Sequence, residues 1–245
     1  MPYKVIILLS YILLTYSCKK ENRCDCIKST GAIIMTDRNA INFTSIRLQD
    51  KMDVYITQGT HFEVKVEAGK NLQDLIKTQL NGDTLVLLND NRCNWVRGYK
   101  HKISIYITAP YFKHIIQNGM GALISNGIIE QDIISFRSGN SGDLKLNIKT
   151  KICLGSSHGN GDTYLSGTTD RMNLDYKGTN YLYAGDLTIL SYLYLHSVTL
   201  GATYINAPEN GLMDVILDAS GNVYYTGNPA TIRLTKNSKG NLFKQ

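Results

Sequence analysis

The chain has 245 residues, with 26 Lys and Arg against 20 Asp and Glu, a formal net charge of +6. With 43% hydrophobic and 19% charged residues it is too apolar for a disordered chain. Its charge is spread too thinly, with no basic run beyond Lys19-Lys20, for a nucleic-acid binder. Twenty-one glycines and 16 tyrosines against 4 prolines, 5 phenylalanines and 1 tryptophan point to an all-β chain of tight turns, carrying rings that keep one wet edge.

In chain order, Lys4 precedes an apolar run from Val5 to Leu14. A bilayer core of about 30 Å needs about 20 helical residues, so this run is too short to span and fits the core of a signal peptide. It ends in Leu13-Leu14-Thr15-Tyr16-Ser17-Cys18, followed by the polar Lys19-Lys20-Glu21-Asn22. A small residue directly before a cysteine resembles the lipobox of bacterial lipoproteins, in which the cysteine becomes the first mature residue and is diacylated. Thr15 and Tyr16 depart from the small aliphatic pair usual there. The resemblance implies a leader over residues 1–17, lipidation at Cys18 and attachment to the cell envelope, at the outer membrane. Each buried CH₂ contributes about 0.8 kcal/mol, and stable attachment takes more than one acyl chain. Residues 18–40 are polar and aperiodic and read as a tether. Among the remaining cysteines, export to an oxidising space allows a Cys26–Cys93 or a Cys24–Cys93 bridge, and spacing does not choose between them. Cys24-x-Cys26 lacks zinc-site spacing and a second ligand pair, so no metal is expected.

The body of the chain spans residues 41–245. In its first part, residues 41–115, Ile46, Leu48, Met52, Val54 and Ile56 alternate, Gly59 interrupts, and Phe62, Val64 and Val66 resume. This predicts a hairpin-like strand pair with one wet face. Leu72 to Leu80 reads as one or two helical turns. Leu85 to Leu88, and Ile103, Ile105 and Ile107 ahead of Pro110, read as further strands.

Residues 116–245 repeat. A small-residue turn followed by a short strand recurs at Gly121, Gly142, Gly161, Thr179, Gly201, Gly221 and Gly240, at intervals of 21, 19, 18, 22, 20 and 19 residues. A second strand precedes the later turns at Leu193 and Leu195, Val215 and Leu217, and Ile232 and Leu234. Short strands at a period near 20, without intervening helix, predict a single-stranded parallel β-helix-like solenoid with a strand-rich N-terminal cap region. The spine of a leucine-rich repeat does not recur. Counting from each turn residue, positions +2 and +4 should point inward, among them Tyr181 and Tyr183. Position +3 should point outward and holds Ile124, Lys145, Tyr164, Leu182, Tyr204, Tyr224 and Phe243.

Phe43-Thr44-Ser45-Ile46, then Asp53-Val54-Tyr55-Ile56-Thr57-Gln58-Gly59, Val64-x-Val66-x-Ala68, Leu85, and a tail of Gly-Asn and Gly-Asp turns ending in Gly227-Asn228-Pro229 resemble the head-GIN domain family of putative autotransporter adhesins. The resemblance covers roughly residues 40–245. It implies a β-helix-like fold exported by Gram-negative bacteria, and it carries no catalytic motif and no functional residues.

The chain is poor in catalytic constellations. Gly155-Ser156-Ser157-His158-Gly159 matches the G-x-S-x-G elbow, but turn and strand follow where that chemistry needs a helix. Gly159-Asn160-Gly161-Asp162 has Tyr164 where a dinucleotide loop needs glycine or alanine, and no complete calcium-binding nonapeptide occurs. A carbohydrate-active β-helical enzyme, polysaccharide lyase or glycosidase, would need two facing carboxylates; the candidates are Asp143, Asp162, Asp175, Asp186, Asp214 and Asp218. The outward rings Tyr164, Tyr204, Tyr224 and Phe243 form a candidate binding face for a polysaccharide or a surface protein, or else a ladder whose rings pack on one another. The expectation is a lipid-anchored, non-catalytic binding or adhesion module with no cofactor. The rivals are the carbohydrate-active enzyme and a structural envelope component.

Overall fold

The computed structural model describes residues 29–39, 42–92 and 102–245. Cys18, Cys24, Cys26 and Cys93, and with them the lipidation site and either bridge, lie outside the described residues. The strands are β1 (Ile33–Arg38), β2 (Ser45–Leu48), β3 (Asp53–Gln58), β4 (Glu63–Gly69), β5 (Ile76–Asn81), β6 (Thr84–Asn89), β7 (Ser104–Ala109), β8 (His114–Gln117) and β9 (Leu123–Glu130). There follow β10 (Ile133–Ser138), β11 (Leu144–Ser157), β12 (Thr163–Gly178), β13 (Leu182–Thr199), β14 (Thr203–Asn206), β15 (Leu212–Leu217), β16 (Val223–Thr226), β17 (Thr231–Lys236) and β18 (Leu242–Lys244). Among the described residues no helix is long and apolar enough to cross a membrane.

The strands stack as a β-solenoid of about seven turns, each about 20 residues from the next. Two parallel ladders run along it. The first passes through β7, β3, β9, β11, β12, β13, β14, β16 and β18. The second passes through β6, β2, β8, β10, β11, β12, β13, β15 and β17. The long strands β11, β12 and β13 serve both ladders, and the pairing of β12 with β13 shifts register between Tyr164 and Ser166 and again between Thr169 and Arg171.

Alternation along each strand sends every second side chain inward. Leu123, Leu144, Thr163, Leu182, Thr203 and Val223 align in successive coils on the first ladder, fully buried. Ile115, Phe136, Leu174, Leu195 and Val215 align on the second. Between Phe136 and Leu174 the inward position is Gly155, where a Cβ would lie 2.3 Å from the Phe136 ring and 2.4 Å from Leu174. The missing side chain makes room for the phenylalanine. Truncating one of these buried leucines to alanine costs about 2–5 kcal/mol.

The N-terminal end departs from the chain-order reading. β3 and β4 do not form a hairpin, because β7 lies between them, parallel to β3 and antiparallel to β4. β3 therefore has parallel partners on both edges, which a hairpin would have denied it. The stretch read as helical has a single 3-10 turn at Gln73–Leu75 and then β5, which makes an antiparallel hairpin with β6 through Gly82 at φ +61°. Within the stretch read as tether, β1 pairs antiparallel with β4 from Ile33 opposite Gly69 to Arg38 opposite Val64. Buried Gln73 fastens this edge: its amide donates to the carbonyls of Ile34 and Val66, both at 3.1 Å, and its Oε1 accepts from Arg38 at 2.7 Å. Antiparallel β1, β4 and β5 thus cover one end of the parallel stack, as solenoid caps do.

Candidate functional site

One outward column crosses the first ladder. Tyr106, Tyr55, Ile124, Lys145, Tyr164, Tyr183, Tyr204, Tyr224 and Phe243 are register partners in succession. From Tyr164 to Phe243 the rings stack at centroid separations of 4.8, 5.5, 5.3 and 5.5 Å, with planes 12, 4, 14 and 22° from parallel. Tyr55 and Tyr106 stack separately at 5.2 Å, and the Lys145 ammonium lies 4.6 Å from the centre of the Tyr164 ring.

The structure corrects one coil of the sequence reading. Leu182 is fully buried, and Tyr183 takes the outward place expected for it, with Tyr181 also exposed beside it. The repeating turn position in this coil is Asn180, not Thr179. A slip of one residue sends every side chain of a strand to the opposite face. Asn180 is buried where neighbouring coils have glycine. It bonds through its amide to the Ser157 hydroxyl and accepts from Thr199 Oγ1 at 3.1 Å on its side-chain oxygen. Tyr164, Tyr204, Tyr224 and Phe243 all lie in the column as expected, and Tyr183 completes it.

Because the rings stack on one another, their faces are covered, and what points to solvent is their edges and hydroxyls. Each such pair contributes about 0.5–1.5 kcal/mol. A sugar ring therefore has no internal ring face to stack on, and only Phe243, 43% exposed at the end of the row, offers one.

Beside the ladder runs a groove of about 410 Å³. Lys145, Tyr164, Tyr183 and Tyr204 form one wall, and Ser125, Asn147, Ser166 and Asp186 the other. It opens where the strands shift register after Lys145 and Tyr164, and Gly185 leaves open space above its backbone. Asn147 and Ser166 keep the repeat as register partners, whereas sequence spacing did not reveal Asp186 as their neighbour, since the shift after Tyr164 breaks the repeat there. Among the described residues, the hydroxyls of Tyr164, Tyr183 and Tyr204 and the side chains of Asn147, Ser166 and Asp186 make no hydrogen bond. Partial burial, then the Asp162 and Asp143 carboxylates, hold the Tyr164 hydroxyl above the ordinary phenol range. Partial burial and Asp162 do the same for Tyr183. Both remain hydrogen-bond donors at neutral pH.

The acids considered for glycoside chemistry are dispersed. Asp143 and Asp162 flank the ladder in adjacent coils, and each accepts a backbone N–H of the next coil, from Asp162 at 3.1 Å and from Tyr181 at 2.9 Å. Asp186 lies across the ladder in the groove wall. Asp175 and Asp218 are on the second ladder, clasping His196 at 3.2 and 2.7 Å, and Asp214 is the register partner of Tyr194 there. Ser157 of the G-x-S-x-G match is fully buried at the end of β11. Among the described residues no group of three or more His, Cys, Asp and Glu side chains is placed to hold a metal ion. A second groove of about 430 Å³, lined largely by carbon, runs on the other ladder from His114 past Leu154 to Tyr194.

No curated protein matches the chain. Among solved structures, a putative adhesin from Bacteroides fragilis NCTC 9343 is similar with a TM-score of 0.79 and 25% identity, over 87% of this chain and 97% of that one. A putative adhesin from Parabacteroides distasonis ATCC 8503 shares the fold at a TM-score of 0.67 and 14% identity, over 88% of this chain and 98% of that one. A putative lipid binding protein from the same organism does so at 0.66 and 16%, over 89% and 98%. Residues 42–229 match the family described as "Putative auto-transporter adhesin, head GIN domain", and the chain belongs to that family.

Proposed function

We propose that the chain is an exported, cell-envelope binding module, anchored through a lipidated Cys18 at the outer membrane, that holds a polysaccharide without cleaving it. Membership of an adhesin family supports a non-catalytic binding role. The observation that carries the glycan reading is the groove beside the tyrosine ladder, where the hydroxyls of Tyr164, Tyr183, Tyr204 and Ser166, the Asn147 amide and the Asp186 carboxylate make no hydrogen bond within the described residues. A few convergent polar groups on a rigid scaffold are what orient a hydroxyl-rich ligand. The ladder supplies the scaffold, since each ring is held by its neighbours and the phenol hydroxyls need little further ordering on binding.

The test is a polysaccharide-binding screen on the full-length protein, with product analysis of every polysaccharide. The expected result is binding without cleavage, weakened at least about tenfold by Asn147→Ala and by Ser166→Ala with unchanged melting temperature. Cleavage products overturn the non-catalytic reading. Binding that survives both substitutions overturns the placement in this groove. For the anchor, mass spectrometry of the mature N-terminus is expected to find an acylated Cys18, and an unmodified N-terminus overturns it.

A further inference from the structure

We infer that this groove selects an extended glycan of the β-1,4-linked hexopyranose type, uncharged or amine-bearing, laid along the solenoid axis, and that it disfavours acidic polysaccharides. The inference rests on the glycan reading above and adds direction, spacing and charge.

Direction comes from the coils that line the groove. Its walls draw on β9, β11, β12, β13 and β14, so its long axis runs across the strands, along the stack. Four interstrand steps of about 4.8 Å make it about 19 Å long.

Spacing comes from the ladder. The rings of Tyr164, Tyr183 and Tyr204 follow one another at 4.8 and 5.5 Å, so their hydroxyls recur at nearly the coil spacing. An extended β-1,4-linked hexopyranose chain advances by a closely similar step per sugar and turns over at each step, so it shows the same edge every second sugar, in phase with every second phenol. A polypeptide strand laid the same way shows the same face only every second residue, about every 6.7 Å. It falls out of phase within two coils.

Charge comes from the flanks. Asp143 and Asp162 line one side of the ladder and Asp186 the other. Among the described residues none of the three forms an ion pair. By contrast Asp53, Glu63, Glu130, Asp132, Asp170 and Asp175 each have a Lys or Arg partner. The ammonium of Lys145 sits over the Tyr164 ring, leaving three carboxylates against one cation. The groove is locally acidic on a chain whose net charge is +6. Such a field repels uronate and sulfate groups and attracts amino groups.

The experiment titrates the full-length protein with hexasaccharides of one linkage and three charges: cellohexaose, chitosan hexamer and mannuronate hexamer, at low and at physiological salt. The expected order is chitosan, then cellohexaose, then mannuronate, with at least about tenfold between the first and last, shrinking as salt rises. Asp162→Asn with Asp186→Asn narrows that ratio to about threefold or less. Asp186→Asn alone, at a side chain with no protein hydrogen bond, narrows it in part and serves if the double variant fails to fold. Affinity for cello-oligosaccharides is expected to rise up to about four sugars and then level, matching the groove length. Mannuronate binding as tightly as cellohexaose, or an order indifferent to the aspartates, overturns the charge selection and leaves the glycan reading standing. Failure of all three hexamers overturns the linkage assigned here, and the same failure together with an empty polysaccharide screen overturns the glycan reading itself; tighter binding of an extended peptide overturns the spacing.

Discussion

Tyr183 lies flat on Tyr204, with ring centroids 5.5 Å apart and planes 4° from parallel. Tyr183 also stacks on Tyr164 on its other side, at 4.8 Å, so it is held from two directions. Phe243, at the end of the row, stacks on Tyr224 alone. At about 0.5–1.5 kcal/mol per stacked pair, Tyr183→Ala should lower unfolding free energy by about 1–3 kcal/mol and Phe243→Ala by about half as much. Urea denaturation of the two variants checks the ratio, and equal losses would show that the ladder contributes nothing beyond each ring's own burial.

Leu182 and Tyr183 also discriminate the register. Leu182 is fully buried, so Leu182→Ala should cost about 2–5 kcal/mol, more than Tyr183→Ala. With Thr179 as the turn residue, Leu182 would lie on the surface and its truncation would cost within about 0.5 kcal/mol. A melting series on the two variants separates these.

That single coil shows what the sequence made legible. The period near 20 could be read because glycine recurs where coils approach most closely, and five of the seven positions that the sequence spacing makes outward from Gly121 on hold Lys or an aromatic residue. Asn180 broke the reading: it replaces glycine in the turn, and its role is visible only through Ser157 and Thr199 in the coils on either side. The N-terminal end was illegible for another reason. β3 and β4 are consecutive in sequence with matching alternation, yet β7, arriving some forty residues later, separates them. Alternation reports which face is wet, not which strand is the neighbour. The groove escaped notice because the register shift between Tyr164 and Ser166 moves Asp186 off the repeat that Asn147 and Ser166 keep.

Close approach of successive coils makes some glycines irreplaceable and leaves others free. A Cβ on Gly201 would lie 1.9 Å from the Asn180 carbonyl oxygen, whereas one on Gly185 would meet nothing within 4 Å. Gly201→Ala should therefore destabilise by about 3 kcal/mol or more, and Gly185→Ala should leave stability within about 0.5 kcal/mol while narrowing the groove. Comparable melting temperatures for the two variants would refute the stacking geometry at this turn.

Cys153 is fully buried, and burial pushes its thiol up to about 12. Near pH 8 only about one molecule in 10⁴ would carry the reactive thiolate, behind a closed core. Iodoacetamide with peptide mapping should leave Cys153 unlabelled in the native protein and label it fully in urea. Labelling at the rate of an exposed thiol in native buffer would place it outside the core.

Asp218 links stability to acid. The Asn237 amide at 2.8 Å and the His196 ring at 2.7 Å hold its carboxyl below the ordinary 3.8. A depressed folded-state pKa means that its stabilisation is fully present above the unfolded value and drains away as pH falls through the lower folded value. Asp83, held down in the same sense by Thr44 and Thr84, adds to that acid limb. Between about pH 5 and pH 2 the wild type should lose stability more steeply than Asp218→Asn, and parallel acid limbs would show that the carboxylate is not engaged in solution.

The most direct test of the account is hydrogen–deuterium exchange on the full-length protein, with and without saturating cellohexaose. The account predicts slowed exchange in segments 144–147, 163–166 and 182–186, which form the groove beside the ladder. Protection confined to 114–116, 135–137 and 154–156, on the opposite ladder, or no protection anywhere, would contradict it.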